Sequence, residues 1–163
     1  MTQFSAILTM LKEGGVEFIV IGGVAAGAHG AARATYDIDV VYRRSDENMD
    51  RLVSALGDHS PYLRGAPTGL PFVWDKRTLQ MGLNFTLITN LGDLDLLGEI
   101  GGERYEQLVS QSEAIPMHGQ DCLCLKLEKL VAVKRAVGRT KDLEVIAELE
   151  ALLEERDALG PEP

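Results

Sequence analysis

The run "FIVIGGVAAGAHGAARATYDIDVVY", residues 18–42, decides the fold. It opens on a short, wholly apolar segment of the kind that forms a strand buried on both faces. Gly22-Gly23 then mark a tight turn, and the small residues of "VAAGAHGAA" predict a short helix packed close to that strand. The chain returns in "YDIDVVY", apolar and β-branched enough for a second strand. Aspartate is depleted from strands, so Asp37 and Asp39 call for a chemical reason. With the two-residue period of a strand, both carboxylates share one face while Ile38 and Val40 turn to the core.

Outward from this run, helical spacing of Phe4, Ile7, Leu8 and Leu11 predicts a helix over residues 3–13, stopped by Gly14-Gly15. On the other side "SDENMDRLVSALGD" predicts a helix capped by Ser45 or Asp46, with Met49, Leu52, Val53 and Leu56 as its apolar stripe and Gly57 at its end. Residues 58–80, rich in Pro and Gly, read as a long loop. Two further strands are expected in "GLNFTLITN" and "DLDLLGEI", joined by the turn signal "NLGD". Residues 103–121 suggest a short helix and a hairpin. From Leu123 to Leu153 the composition predicts two amphipathic helices separated by "VGRTKD", and residues 154–163 read as a fraying end. The fold class is therefore α/β (α+β), with alternation first and a helical tail last. The expected division is a core over 1–118, a helical extension over 119–157 packed on it, and a flexible tail over 158–163.

Sixteen basic and 25 acidic residues give this 163-residue chain a formal charge of −9. That balance argues against an extended nucleic-acid surface. One domain is the expectation at this length. With no leader-like N-terminus and no apolar run long enough to cross a bilayer, a cytoplasmic location away from membranes is expected. Cys122 and Cys124, spaced C-x-C in an apolar run, read as two buried small side chains. A disulfide over so short a loop is strained, and a zinc site needs more Cys or His nearby.

Two like charges side by side repel, and a pair of hard oxygen ligands is best neutralised by Mg²⁺ or Mn²⁺. A third carboxylate is available in "GDLDLLGEI", where Asp95 stands between Leu94 and Leu96; Asp93 points the same way but lies nearer the turn. Gly22-Gly23, between a strand and a helix, leave backbone amides exposed in a way that suits a polyphosphate. Parts of this kind serve in-line attack on a nucleotide phosphorus.

The order of these motifs, "GG" after a strand, "DID" thirteen residues later and then a separate "LDLL", resembles the DNA polymerase beta-type nucleotidyltransferase superfamily. "RATYDIDVVY" and the tail "LKLEKLVAVKRAVGRTKDLEVIAELEAL" are similar to the small bacterial branch that holds antibiotic nucleotidyltransferases and the toxins of abortive-infection systems. The resemblance implies a small mixed sheet flanked by helices, and transfer of a nucleoside monophosphate from an NTP to a hydroxyl or phosphate acceptor on a protein, a tRNA or a small molecule. It implies metals held by Asp37, Asp39 and Asp95, with Asp95 also helping to deprotonate the acceptor. Gly22, Gly23, Arg33 and Thr35 are implied in nucleotide binding, with Lys134, Arg139 and Lys141 either facing the phosphates or joining Asp142 in a helix-junction network. A toxin or antitoxin partner belongs to the same picture. Gly23 departs from the pattern, since many active members carry Ser there. The competing reading is a non-catalytic binding module on the same fold, an antitoxin or a nucleotide-sensing subunit. His29 reads as a packed helix residue, His118 as a turn residue, and Trp74 as a packing residue or a platform for a base.

Overall fold

The fold is described from a computed structural model that covers residues 1–32, 34–137 and 143–159. Its centre is a seven-stranded mixed sheet in the order β3-β4-β5-β2-β1-β7-β6. The strands are β1 (Phe18–Ile21), β2 (Asp37–Tyr42), β3 (Tyr62–Leu63), β4 (Phe85–Thr89), β5 (Gly92–Leu97), β6 (Ser112–Met117) and β7 (Gln120–Leu125). Among the described residues seven α-helices accompany them: α1 (Phe4–Glu13), α2 (Gly22–Ala28), α3 (Asp46–Gly57), α4 (Lys76–Met81), α5 (Tyr105–Leu108), α6 (Leu127–Val137) and α7 (Leu143–Leu159).

As expected of a strand covered on both faces, all four residues of β1 are buried. It lies between β2, antiparallel, and β7, parallel. β2 runs parallel to β5, and β5 antiparallel to β4. This register sorts the side chains by face. Ile38, Leu94 and Leu87 form one buried cross-strand row, and Val40, Leu96 and Phe85 a second. Their sequence neighbours fall on the opposite face, which the next subsection takes up. Around the sheet α1 packs on α3 and β7, α2 on β1 and β2, and α6 on α2 and α7.

Three segments differ from the expectations. The loop expected over 58–80 contains β3 and α4; Asp75 caps α4 by accepting from the Thr78 N–H at 2.8 Å. The hairpin expected near residue 121 runs on to Leu125, so Leu123–Leu125 are strand and helix begins at Leu127. β7 thus belongs to the central sheet, and the helical part starts later than the expected boundary at 119. Cys122 and Cys124, two apart, supply one buried face of this strand, and Leu125 is buried on the other. Finally α7 continues to Leu159, past the expected fraying point, with Arg156 paired to Glu128 on α6.

Candidate active site

Because β2 alternates in burial, Asp37 and Asp39 share the face opposite Ile38 and Val40. The parallel register with β5 sets Asp93 beside Asp37 and Asp95 beside Asp39. Four aspartates therefore stand in a two-by-two block on one patch of sheet. Asp37, Asp39 and Asp95 each offer a carboxylate oxygen, and the three lie within 4.8 Å of one another.

Gly22 closes the block from above. It follows Ile21, the partner of Asp39 across the sheet, and its φ of +69° puts it in the left-handed region that glycine tolerates. A β-carbon there would lie 2.2 Å from Asp39 Oδ2. The bare backbone at residue 22 is what lets the chain pass over that carboxylate. Gly23 follows, exposed, and a β-carbon on it would meet Thr35 Oγ1 at 2.8 Å. The Thr35 hydroxyl donates to the Asp37 carbonyl at 3.1 Å.

Two of these acids, Asp39 and Asp37, are raised above the usual carboxylate range. Burial, then hydrogen bonding to Asp95 and the charges of Asp37 and Asp95, push Asp39 up to about 8, with the Lys134 ammonium on α6 acting against them. Burial and the Asp95 charge also raise Asp37, opposed by Arg64. Such displacement within a cluster is characteristic of functional carboxylates.

Arg64, two residues beyond Tyr62 of β3, was not singled out by the sequence. Its Nη2 lies 2.6 Å from Asp95 Oδ1 and 3.8 Å from Asp37 Oδ2, and its Nη1 lies 3.7 Å from Asp93 Oδ2. A lone arginine in a Gly/Pro-rich stretch gives no local pattern to detect. Only the pairing of β3 with β4 carries it to the acids.

The likeness of the chain to solved structures fits this geometry. No family model and no curated protein matches the chain. Among solved structures it is similar to the lincosamide antibiotic adenylyltransferase LnuA bound to lincomycin, at 14% identity over 92% of this chain and 96% of that one, with a TM-score of 0.60. The antibiotic-resistance factor ANT(2'')-Ia gives 15% identity, 96% and 92% coverage and 0.60. A Thermotoga maritima protein assigned as a nucleotidyltransferase gives 18%, 95% and 96%, and 0.53. The chain has the nucleotidyltransferase fold.

On that fold the expected residues can be located. Asp37, Asp39 and Asp95 converge, with Gly22, Gly23 and Thr35 at one border and Lys134 close enough to act on Asp39. Arg33, Arg139, Lys141 and Asp142 lie outside the described residues. The packing readings of the remaining residues agree with the structure. His29 Nε2 is 2.8 Å from the Leu125 carbonyl, and Trp74 Nε1 donates to the Val53 carbonyl at 3.1 Å. His118, at φ +47°, and Gly119 form the two-residue turn between β6 and β7. Both cysteines are free and buried. No helix among the described residues is long and apolar enough to cross a membrane.

Proposed function

We propose that this chain is a metal-dependent nucleotidyltransferase that moves a nucleoside monophosphate from an NTP to a hydroxyl or phosphate acceptor, releasing pyrophosphate. The observation that carries the reading is the convergence of Asp37, Asp39 and Asp95 from two parallel strands, one ligand oxygen from each within 4.8 Å of the others. An all-carboxylate donor set on a rigid sheet suits Mg²⁺ or Mn²⁺. Bound there, such a cation would polarise the phosphoryl oxygens and steady the attacking and leaving oxygens.

The chain's own groups supply the rest. On the resemblance, Asp95 is assigned to help take the proton of an acceptor hydroxyl as it attacks. Asp39 serves as a ligand only when ionised, and the Lys134 charge favours that form. The backbone N–H groups of Gly22 and Gly23 and the Thr35 hydroxyl border the triad and are assigned to the triphosphate. Arg33 and Lys141 join them on the resemblance alone.

The acceptor is read from likeness and stays broad. The neighbours named for an acceptor act on antibiotics, and ANT(2'')-Ia was also solved with adenylyl-2''-tobramycin. A small-molecule hydroxyl is therefore one candidate, beside a protein or a tRNA end. The bacterial branch the sequence resembles adds a toxin–antitoxin or phage-defence role with a protein partner.

Calorimetric titration with each of the four Mg-NTPs, beside Asp37→Ala/Asp39→Ala, tests the proposal. Binding by the wild type that vanishes in the double variant supports it, and radiolabelled NTP then reveals the acceptor. An absence of binding sinks it. Binding without turnover on any acceptor class selects the non-catalytic binding module.

A further inference from the structure

Arg64 is built into the acidic block and is no wandering surface side chain. Its backbone N–H donates to the Thr86 carbonyl at 2.9 Å, continuing the β3–β4 ladder, and its Nη1 donates to the Leu87 carbonyl at 3.2 Å. Thr86 faces Asp95 across the sheet, and Asp95 faces Asp39. One cross-sheet row thus runs from the arginine backbone to the central acids. At its end the guanidinium makes a charge-assisted bond of 2.6 Å to Asp95 Oδ1 while lying within 4 Å of Asp37 and Asp93. Arginine stays charged at any workable pH.

A guanidinium and a divalent ion cannot share Asp95 comfortably, since like charges at that spacing repel strongly in a protein environment. From this geometry we propose that Arg64 is the resident counter-ion of the acidic site: it competes with the divalent cation for Asp95 and gives way when cation and polyphosphate arrive together. The inference rests on the reading of the triad as a metal site. A guanidinium displaced from one oxyanion is best satisfied by another, and its planar fork matches phosphate oxygens. The polyphosphate that brings the cation therefore also brings the new partner for Arg64. Free protein holds metal weakly, and metal and nucleotide binding become positively coupled.

The test is Mn²⁺ binding, followed by loss of the free-ion paramagnetic resonance signal, on the wild type, Arg64→Gln, Arg64→Lys and Asp95→Asn. Titrations are made without nucleotide and then with the non-hydrolysable α,β-methylene ATP. Thermal melts report folding. Without nucleotide, Arg64→Gln is expected to bind Mn²⁺ about tenfold more tightly than the wild type, and Asp95→Asn more weakly. With the analogue the advantage of Arg64→Gln should disappear, because the guanidinium no longer engages the phosphates. Arg64→Lys keeps the charge without the fork and should lie between the two; it carries the comparison if Arg64→Gln does not fold. Equal or weaker Mn²⁺ binding by a folded Arg64 variant, with measurable binding by the wild type, overturns the counter-ion role and leaves the metal site standing. Failure of both the wild type and the folded variants to bind Mn²⁺ overturns the counter-ion role and the metal site together.

Discussion

At Gly23 the absence of a side chain is a local necessity. An added β-carbon would fall 2.8 Å from Thr35 Oγ1 and 2.9 Å from Thr35 Cβ, and the second of these is a branch point that cannot swing away. A serine at this position, which the resembled pattern leads one to expect, therefore does not fit beside this threonine without a shift. Gly23→Ser is expected to cost about 1–3 kcal/mol through overpacking, and Thr35→Gly in the same chain, which removes both the hydroxyl and the branch point, to recover part of that. Thermal melts of the four chains of the double-mutant cycle read the coupling, and strict additivity would refute the contact. Asp39 shows the opposite tension, a group that function wants and stability does not. Burial and two neighbouring carboxylates disfavour its charge. Asp39→Asn keeps the shape and removes that charge, so the metal-free variant should melt about 2–4 °C higher than the wild type while losing Mn²⁺ binding. A lower melting temperature in chelator would show that the carboxylate is structural.

The element that needs most help from a polar residue is α3. Asn48 is fully buried, and its side chain accepts from the Glu17 N–H at 2.7 Å while donating to the Glu17 and Arg43 carbonyls at 3.0 and 2.8 Å. It thereby ties the start of α3 to the entry of β1 and the exit of β2. Replacement by Leu takes their partner from the Glu17 N–H and the Arg43 carbonyl, while the Glu17 carbonyl keeps only the Arg43 N–H at 3.2 Å. About 3 kcal/mol of destabilisation is expected, read in urea as a lower midpoint at an unchanged slope. On β7, burial pushes the Cys124 thiol from 9.0 up to about 12 and raises Cys122 as well. For an acid raised on folding, the stabilising contribution is whole below pH 9 and lost as pH climbs toward 12. Native protein at pH 8 should leave both thiols unlabelled by Ellman's reagent, whereas urea exposes two; fast labelling of either would contradict their burial. These elements also mark how far the sequence could be read. β1 was legible as a continuous apolar run and β2 and β5 as apolar alternation, both local signals, and the aspartates stood out against the latter. β3 was not, since two residues carry no period, and Arg64, 31 positions from Asp95, was hidden with it. From Leu123 onward Leu and Lys, good helix formers, favour helix where the structure has the end of β7. Pairing with β1 and β6 overrode that propensity.

For the molecule as a whole, a charge of −9 and four aspartates on one sheet patch load the fold with like charge, which a bound cation would relieve. The apolar rows behind the acids hold β2 and β5 in register, so the carboxylates cannot relax apart without breaking the sheet. Their repulsion is relieved only in part by Arg64 and Lys134. A ligand that binds the native state alone stabilises it by mass action, by about 2.7 kcal/mol at a hundredfold excess over its Kd. For a chain of this length that corresponds to a rise of roughly 5–11 °C in melting temperature. Saturating Mg²⁺ with a bound NTP should therefore raise the wild-type melting temperature into that range, and EDTA should return it to the starting value. Asp37→Ala/Asp39→Ala should show no such rise, although its own baseline is expected to be no lower than that of the metal-free wild type. A nucleotide-dependent rise that survives in the double variant would move the binding site away from the β2–β5 face. A rise that needs nucleotide but resists EDTA would leave the triad as a phosphate-side electrostatic wall, with no cation in it.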